Sequence, residues 1–544
     1  MKFAFRFSQL LLIVLFSCAC NQKDKADTIV YNARIMTMND SLPTAQVMVI
    51  QSGKIIAIGD SSLLNRFESK DMIDAKKQYV YPGFIDAHCH FYGYAKTLLS
   101  CNLEGTKSWQ EVLNRLKVFA SQNKGEWING RGWDQNDWAD KNYPNNDSLN
   151  KLFPNQAVIL KRVDGHAAIC NQKALELAGI SPTTVIEGGE IISDRNELTG
   201  VLIDNAVELV ENIKSKTDSK VLTEKLIQAE KECFSYGITT MADAGLELSE
   251  ALFLDSLQKA GKLSVFLYVM LNPTKESFEF ARDKGIVETD HLRISSFKLY
   301  ADGALGSRGA KLKKDYCDRM HHSGYLIHSP VYYDSIVNLY GTQTQYQINT
   351  HCIGDSANSL ILEAYGKFLK TKNDRRWRIE HAQILDANDM DKFSKFNIVP
   401  SVQPTHASSD GPWVEDRICK ERMNGAYAYK TLLKQNDYIA LGTDFPVEYL
   451  QPIFTFYSAV FRESAQHPEY GEFLIGEKLS PIEALKGMTI WAAKACKLEH
   501  RKGSLESGKD ADFVIMDQNL FEPEKDKVLK SKIIATYSRG IKVY

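Results

Sequence analysis

The sequence predicts an α/β fold: a (β/α)₈ TIM barrel carrying a large insertion after its first strand, with a small β-sandwich formed by both chain termini. Three observations predict it. From Phe84 onward, short apolar runs alternate with longer helical stretches, which is the rhythm of βα units. Eight such runs occur, near residues 84–90, 238–242, 264–270, 294–299, 346–351, 377–381, 397–402 and 438–443. The two ends of the chain have a different texture, with short β-rich runs separated by turn signals such as Ser52-Gly53 and Gly59-Asp60.

Each part follows in order. At 544 residues the chain exceeds one ordinary domain but accommodates a barrel, its insertion and a satellite. Residues 1–20 read as a signal peptide, with Lys2 and Arg6 ahead of the apolar run Leu10 to Phe16. That run is too short to span a bilayer. Leu15-Phe16-Ser17-Cys18 resembles a bacterial lipobox, which makes Cys18, or Cys20 in the weaker alternative, the lipid-bearing residue. The expectation is an exported lipoprotein of the bacterial cell envelope, on the periplasmic or surface face, attached to the membrane only through that lipid. Residues 21–27 would be a polar tether.

Thr28-Ile-Val-Tyr, Arg34-Ile-Met-Thr-Met, Val47-Met-Val-Ile and Lys54-Ile-Ile-Ala-Ile supply strands at one end; Ala511-Asp-Phe-Val-Ile-Met and Lys532-Ile-Ile-Ala-Thr-Tyr supply them at the other. Pairing residues 28–83 with 500–544 yields the composite sandwich and ties down both ends. The barrel takes 84–499. The excursion from Phe91 to Tyr236 is the insertion, over the barrel mouth or side, with a helix near 222–235.

Composition narrows the function. With 66 basic and 68 acidic side chains the formal charge is −2, so no global field attracts nucleic acid or anionic lipid. A small, largely uncharged or mixed substrate is expected, and a homo-oligomer is left open. The eight cysteines beyond residue 20 are scattered without a C-x-x-C pair, which reads as buried apolar side chains rather than a disulfide framework.

The chemistry begins at Gly83-Phe-Ile-Asp-Ala-His-Cys-His. Period-two alternation points His88 and His90 to one side of the first strand and Cys89 to the other. Two neutral imidazoles converging on one point suit zinc or a similar divalent ion. Lys298, His351, His381 and Asp444 fall at the ends of further strands, and a barrel collects its active site at the C-terminal ends of its strands. Glu380, next to His381, should point away from the barrel axis by the same alternation. Candidate substrate contacts are Asp164 and His166, with Arg162, in the insertion, Arg308 after the fourth strand, His406 after the seventh, and an aromatic wall of Trp133, Asp134 and Trp138.

Pro-Gly-Phe-Ile-Asp-Ala-His-Cys-His, Lys-Leu-Tyr-Ala-Asp-Gly-Ala-Leu-Gly-Ser-Arg, Arg-Ile-Glu-His and Gly-Thr-Asp-Phe-Pro-Val-Glu together resemble the amidohydrolase superfamily. The resemblance is to the branch (amidohydrolase 3) containing N-substituted formamide deformylases and YtcJ-like proteins, and it covers the chain from Thr28 to the C-terminus. It implies that His88 and His90 bind the more buried metal and His351 and His381 the more exposed one. It also implies that Lys298 is carboxylated and bridges two ions, while Asp444 is the aspartate closing the eighth strand. An unmodified Lys298, paired with Asp302 or another acid, would leave a site for one ion.

The expected reaction is hydrolysis of a carbon–nitrogen bond other than a peptide bond, in an N-substituted amide or formamide, by a metal-activated hydroxide. Asp444 would accept the water's proton and pass it to the leaving nitrogen, with His381 and Lys298 beside it in the catalytic centre. Two alternatives stand beside this reading: a cyclic-amide hydrolase or deaminase on the same barrel, and a metal- or ligand-binding surface lipoprotein without turnover.

Overall fold

The computed structural model describes residues 23–123, 125–214 and 217–544, so Cys18 and Cys20 lie outside the described residues. Eight parallel strands form the barrel: β1 (Phe84–Cys89), β2 (Ile238–Leu246), β3 (Phe266–Leu271), β4 (Leu292–Tyr300), β5 (Gln347–Cys352), β6 (Arg378–His381), β7 (Val399–Val402) and β8 (Ala440–Leu441). They pair in sequence order, β1 to β8. Two backbone bonds between the first and last strands bring the ends together, Asp444 N–H to His88 O at 2.8 Å and His90 N–H to Phe445 O at 2.9 Å. Gly442 allows this approach, because a Cβ there would come within 2.6 Å of the His88 nitrogen. Buried Asp86 fastens the seam, accepting from Thr443 N–H (3.0 Å), Thr443 Oγ1–H (2.6 Å) and His88 N–H (3.1 Å).

All eight strands fall where the alternation of apolar runs places them. Their outward side chains, among them Cys89, Met241, Val269, Phe297 and Ile379, join one large core beneath the helices. Their inward side chains, including Ile85, Ala242, Tyr268 and Val399, fill the barrel together with Ala492, Ala493 and Cys496. A barrel plugged in this way has its open end on the C-terminal side of the strands.

The two termini build a pair of facing sheets. Lys54–Gly59, Val47–Gln51, Thr28–Tyr31 and Asp71–Asp74 form one. In the other, Tyr79–Pro82 lies between Arg34–Met36 and Phe513–Met516, so both ends of the chain share one sheet. Val30, Ile35, Met48, Val80, Phe513 and Ile515 form the common core. Within the tether expected over 21–27, Asp24–Lys25 pairs with Phe67–Glu68, and Asp27 accepts from Ser52 N–H at 2.6 Å.

The excursion after β1 carries its own six-stranded sheet, in the order Cys101–Asn102, Trp127–Trp133, Ala157–Arg162, Ala167–Cys170, Glu197–Asp204, Gly189–Asp194. Apolar cores cover both its faces. It is shorter than the expected 91–236, because the helices Phe91–Thr97 and Ser219–Ser235 pack into the barrel's outer layer.

The cysteine expectation needs one correction. Cys89, Cys101, Cys170, Cys233, Cys352 and Cys496 are free and buried, but Cys317 and Cys419 form a disulfide across 102 residues. It joins the segment after β4 to the end of the helix Pro404–Ile418 that follows β7. Among the described residues no helix is long and apolar enough to cross a membrane.

Candidate metal centre

His88 and His90 both face the barrel interior from the end of β1, and Cys89 faces the outer core. The partner of each ring fixes which nitrogen is free. His88 Nδ1 lies 2.5 Å from Glu380 Oε2, His90 Nδ1 2.9 Å from the Ala244 carbonyl, and His381 Nδ1 2.8 Å from Gln403 Oε1. Each acceptor claims the Nδ1 proton, leaving the Nε2 lone pair for a metal. His351 is reversed, with Nε2 3.4 Å from the Gly303 carbonyl and 3.6 Å from Asp302 Oδ1.

These rings converge on Asp444 at the end of β8. Its Oδ1 is 3.1 Å from His90 Nε2 and 3.6 Å from His88 Nε2, while its Oδ2 is 3.4 Å from His406 Nε2. Ligand atoms of His88, His381 and Asp444 all lie within 4.8 Å of one another. His351 joins through its ring, 4.6 Å from that of His381. Lys298 Nζ approaches His88 Nε2 at 3.2 Å, and no carboxylate lies within 4.0 Å of it among the described residues.

Electrostatics fit a cation. Burial lowers the His88 imidazole to about 4, with Lys298 adding to the effect, and holds His351 and His381 well below the usual histidine range. These rings are therefore neutral donors. Burial likewise brings the Lys298 amine down to about 8 against the pull of Glu380 and Asp444. Buried Asp444 Oδ1 lies 3.1 Å from His90 Nε2 and 3.6 Å from His88 Nε2 and has no hydrogen-bond partner. A divalent ion among these atoms would satisfy it, so the donor set fits a metal.

The amidohydrolase family model matches residues 71–544. The chain belongs to that family. It is 32% identical to Protein LONG AFTER FAR-RED 3 of Arabidopsis thaliana, covering 95% of this chain and 92% of that protein. It is 30% identical to the putative amidohydrolase YtcJ of Bacillus subtilis (94% and 98% covered) and 24% identical to the N-substituted formamide deformylase of Arthrobacter pascens (95% and 98%). An uncharacterized metal-dependent hydrolase from Pyrococcus horikoshii overlays it with a TM-score of 0.74 at 25% identity, covering 92% of this chain and 99% of that one. The protein is thus a hydrolase of the metal-dependent kind.

Around the amidohydrolase centre, the substrate-side residues sort differently from the sequence expectation. His406 does face the site, its ring stacked 5.8 Å from that of His381. His166 comes down from the insertion to 5.0 Å from the His351 ring. Trp133 and Trp138 form no wall to the cleft: both lie in the insertion's core, donating to Leu160 O (2.8 Å) and Thr106 O (3.0 Å). Asp134 and Asp164 are held by the buried Arg162 guanidinium, the latter at 2.5 Å. Arg308 pairs with Asp318 (2.8 Å) and lines a cavity of about 450 Å³ together with Trp413 and Arg417.

Glu380 is the main correction. Instead of pointing away from the axis it lies fully buried inside the barrel, between Arg378 Nε at 2.6 Å and His88. Burial alone would raise its carboxyl, but Arg378 and His88 bring it down to about 2. Alternation fails because His381 has φ +73°, a left-handed conformation that turns it and Glu380 toward the same side. The sequence also gives no expectation for Gln403 or Glu448. Glu448 accepts from Ser409 at 2.6 Å, and burial pushes its carboxyl up to about 8. Its only sequence signal is its place in the Asp444-Phe-Pro-Val-Glu motif.

Glu380→Gln removes the charge that orients His88 and is expected to weaken metal binding about 10–100-fold. Metal retained per chain after dialysis against graded chelator measures it, and unchanged retention contradicts the orienting role.

Proposed function

We propose that this amidohydrolase cleaves the carbon–nitrogen bond of an N-substituted amide or formamide, releasing an amine and a carboxylic acid. The observation that carries the reading is the convergence of neutral imidazoles and the Asp444 carboxylate at the open end of the barrel. The likeness to a protein named for N-substituted formamide deformylation, across nearly all of both chains, supports the bond type.

His88, His90, His351, His381 and Asp444 would hold the metal, and their nitrogen-rich set favours zinc. Lys298, buried and with no carboxylate within 4.0 Å among the described residues, would carry a carbamate, and a second ion would then share it. A bound divalent ion lowers the pKa of water and polarises a carbonyl oxygen. The chain's own part is to orient the donors and to move protons. Asp444, among His88, His90 and His406, accepts the proton of the attacking water.

We also propose that the protein is exported and lipid-anchored through Cys18, with Cys20 as the alternative. The charged and apolar segment ahead of Cys18 supports this, and so does a disulfide, which persists in an oxidising compartment.

Asp444→Asn is expected to keep most of the bound metal while kcat on N-formyl and N-acetyl amines falls about 10²–10⁴-fold. Full turnover in that variant would refute its role as base. Cys18→Ser is expected to move the protein from the membrane fraction to the soluble one; retention in the membrane after Cys20→Ser is added would remove the lipid anchor from the account.

A further inference from the structure

Arg131 stands out among the charged groups that this chemistry leaves unused. It lies on the last regular rung of the insertion strand Trp127–Trp133, paired with Lys161 of Ala157–Arg162. The register shifts just after it, where Gly132 has φ +107°. The two strands run parallel and end together. The second leads through Asp164 and Gly165 into His166, whose ring lies 5.0 Å from that of His351. Arg131 therefore stands at the end of the insertion sheet that meets the barrel's histidines.

Its guanidinium has few partners for so enclosed a cation. Nη2 donates to the Val163 carbonyl at 3.0 Å, whereas buried Nε has no acceptor and neither has Nη1 among the described residues. No carboxylate lies within 4.0 Å of it among those residues, because the acids around it are taken. Asp164 is held by Arg162 at 2.5 Å and by the His166 N–H at 3.0 Å. Glu211 is held by Lys161 at 3.3 Å and by Lys214 at 3.1 Å. The chain leaves room beside the cation: Gly165 has φ +76°, and a Cβ there would come within 3.3 Å of Nη1.

The Arg131 side chain is half-buried, so water reaches it, yet burial holds the guanidinium below the usual arginine range against the pull of Asp164 and Asp444. A cation that is both wetted and poorly solvated borders a narrow opening instead of the outer surface. Its contact with Gly165, one residue before His166, puts that opening beside the metal centre. A guanidinium carries five N–H donors in a planar fork and keeps its charge at any working pH. Most of these donors are unused here. A carboxylate is the acceptor that satisfies them and balances the charge as well.

We propose that Arg131 is a specificity-determining residue that takes a carboxylate of the substrate, so that the amide cleaved carries one near its scissile bond; this rests on the amide reading above. The guanidinium anchors one end of the molecule while the carbonyl carbon lies at the metal centre. A neutral amide of the same shape would leave Arg131 enclosed without a counter-charge, which is how the site discriminates.

The test uses two matched pairs on the metal-loaded protein. N-formylleucine against N-formylleucinamide places the carboxylate on the amine side, and N-butylsuccinamate against N-butylsuccinamide places it on the acyl side. The wild type is expected to favour the acid in at least one pair. In Arg131→Gln, kcat/KM on that acid is expected to fall about 10–10²-fold, and on its carboxamide less than about five-fold. Arg131→Lys, which keeps the charge without the fork, is expected to lose less on the acid. Calorimetric titration with 4-methylpentanoate reads the same contact without turnover, with affinity expected to weaken about 10–10²-fold in Arg131→Gln. Metal content and melting temperature report whether the variants are folded. A wild type that favours neither acid, equal losses on acid and carboxamide, or unchanged 4-methylpentanoate affinity in the folded variants overturns the role of Arg131 and leaves the amide reading standing. A wild type that binds 4-methylpentanoate through Arg131 but cleaves no N-acyl or N-formyl amine overturns the amide reading alone, and one that does neither overturns both.

Discussion

Arg378, Glu380 and His88 form a chain of contacts in the centre of the barrel on which the metal site depends. All three are fully buried, and each carries polar groups that need a partner there. The Arg378 guanidinium donates to the Ala87 carbonyl at 2.5 Å and to Ser401 Oγ at 2.8 Å, tying β6 to β1 and β7. Glu380 spans from this cation to His88 Nδ1. Removing one member of a buried pair costs about 3–5 kcal/mol, so these strands and the imidazole they orient are fixed together. The ring that would hold the metal is aligned by the same interaction that packs the barrel interior.

The insertion meets this rigid floor from the opposite side. Its Arg162 holds Asp134 and Asp164, Asp164 anchors the His166 backbone, and Asp204 anchors the His166 ring. The Cys317–Cys419 disulfide ties the neighbouring segments after β4 and β7 to each other. Arg417, two residues before Cys419, bonds to Asp318 and to Asn136 of the insertion (2.8 Å), joining barrel and insertion in one network. The His166 ring so held lies 5.0 Å from that of His351, where the insertion meets the barrel's histidines.

How much of this the sequence shows depends on the range of the determining interaction. Strand positions follow from local apolar runs, so all eight strands are legible, as is the inward direction of His88 and His90. The composite sandwich is legible because both ends share one texture. Glu380 is not, since alternation holds only for regular strand backbone and His381 at φ +73° breaks it. The disulfide is not, because a separation of 102 residues carries no local mark. The direction of Trp133 and Trp138 is not legible for a related reason: proximity in sequence to a motif does not say whether a side chain faces the cleft or its own core. Sequence proximity brought His166 forward, but only the fold supplies Asp204, 38 residues away.

The central claim is that the buried cluster of His88, His381 and Asp444, with His90 and His351 beside it, holds a divalent metal. Anomalous diffraction from crystals of the active protein, collected on both sides of the metal's absorption edge, tests it most directly. The account predicts a peak enclosed by these side chains, with a second peak beside Lys298 if that lysine is carboxylated. A fully active protein with no anomalous peak in this cluster would contradict it.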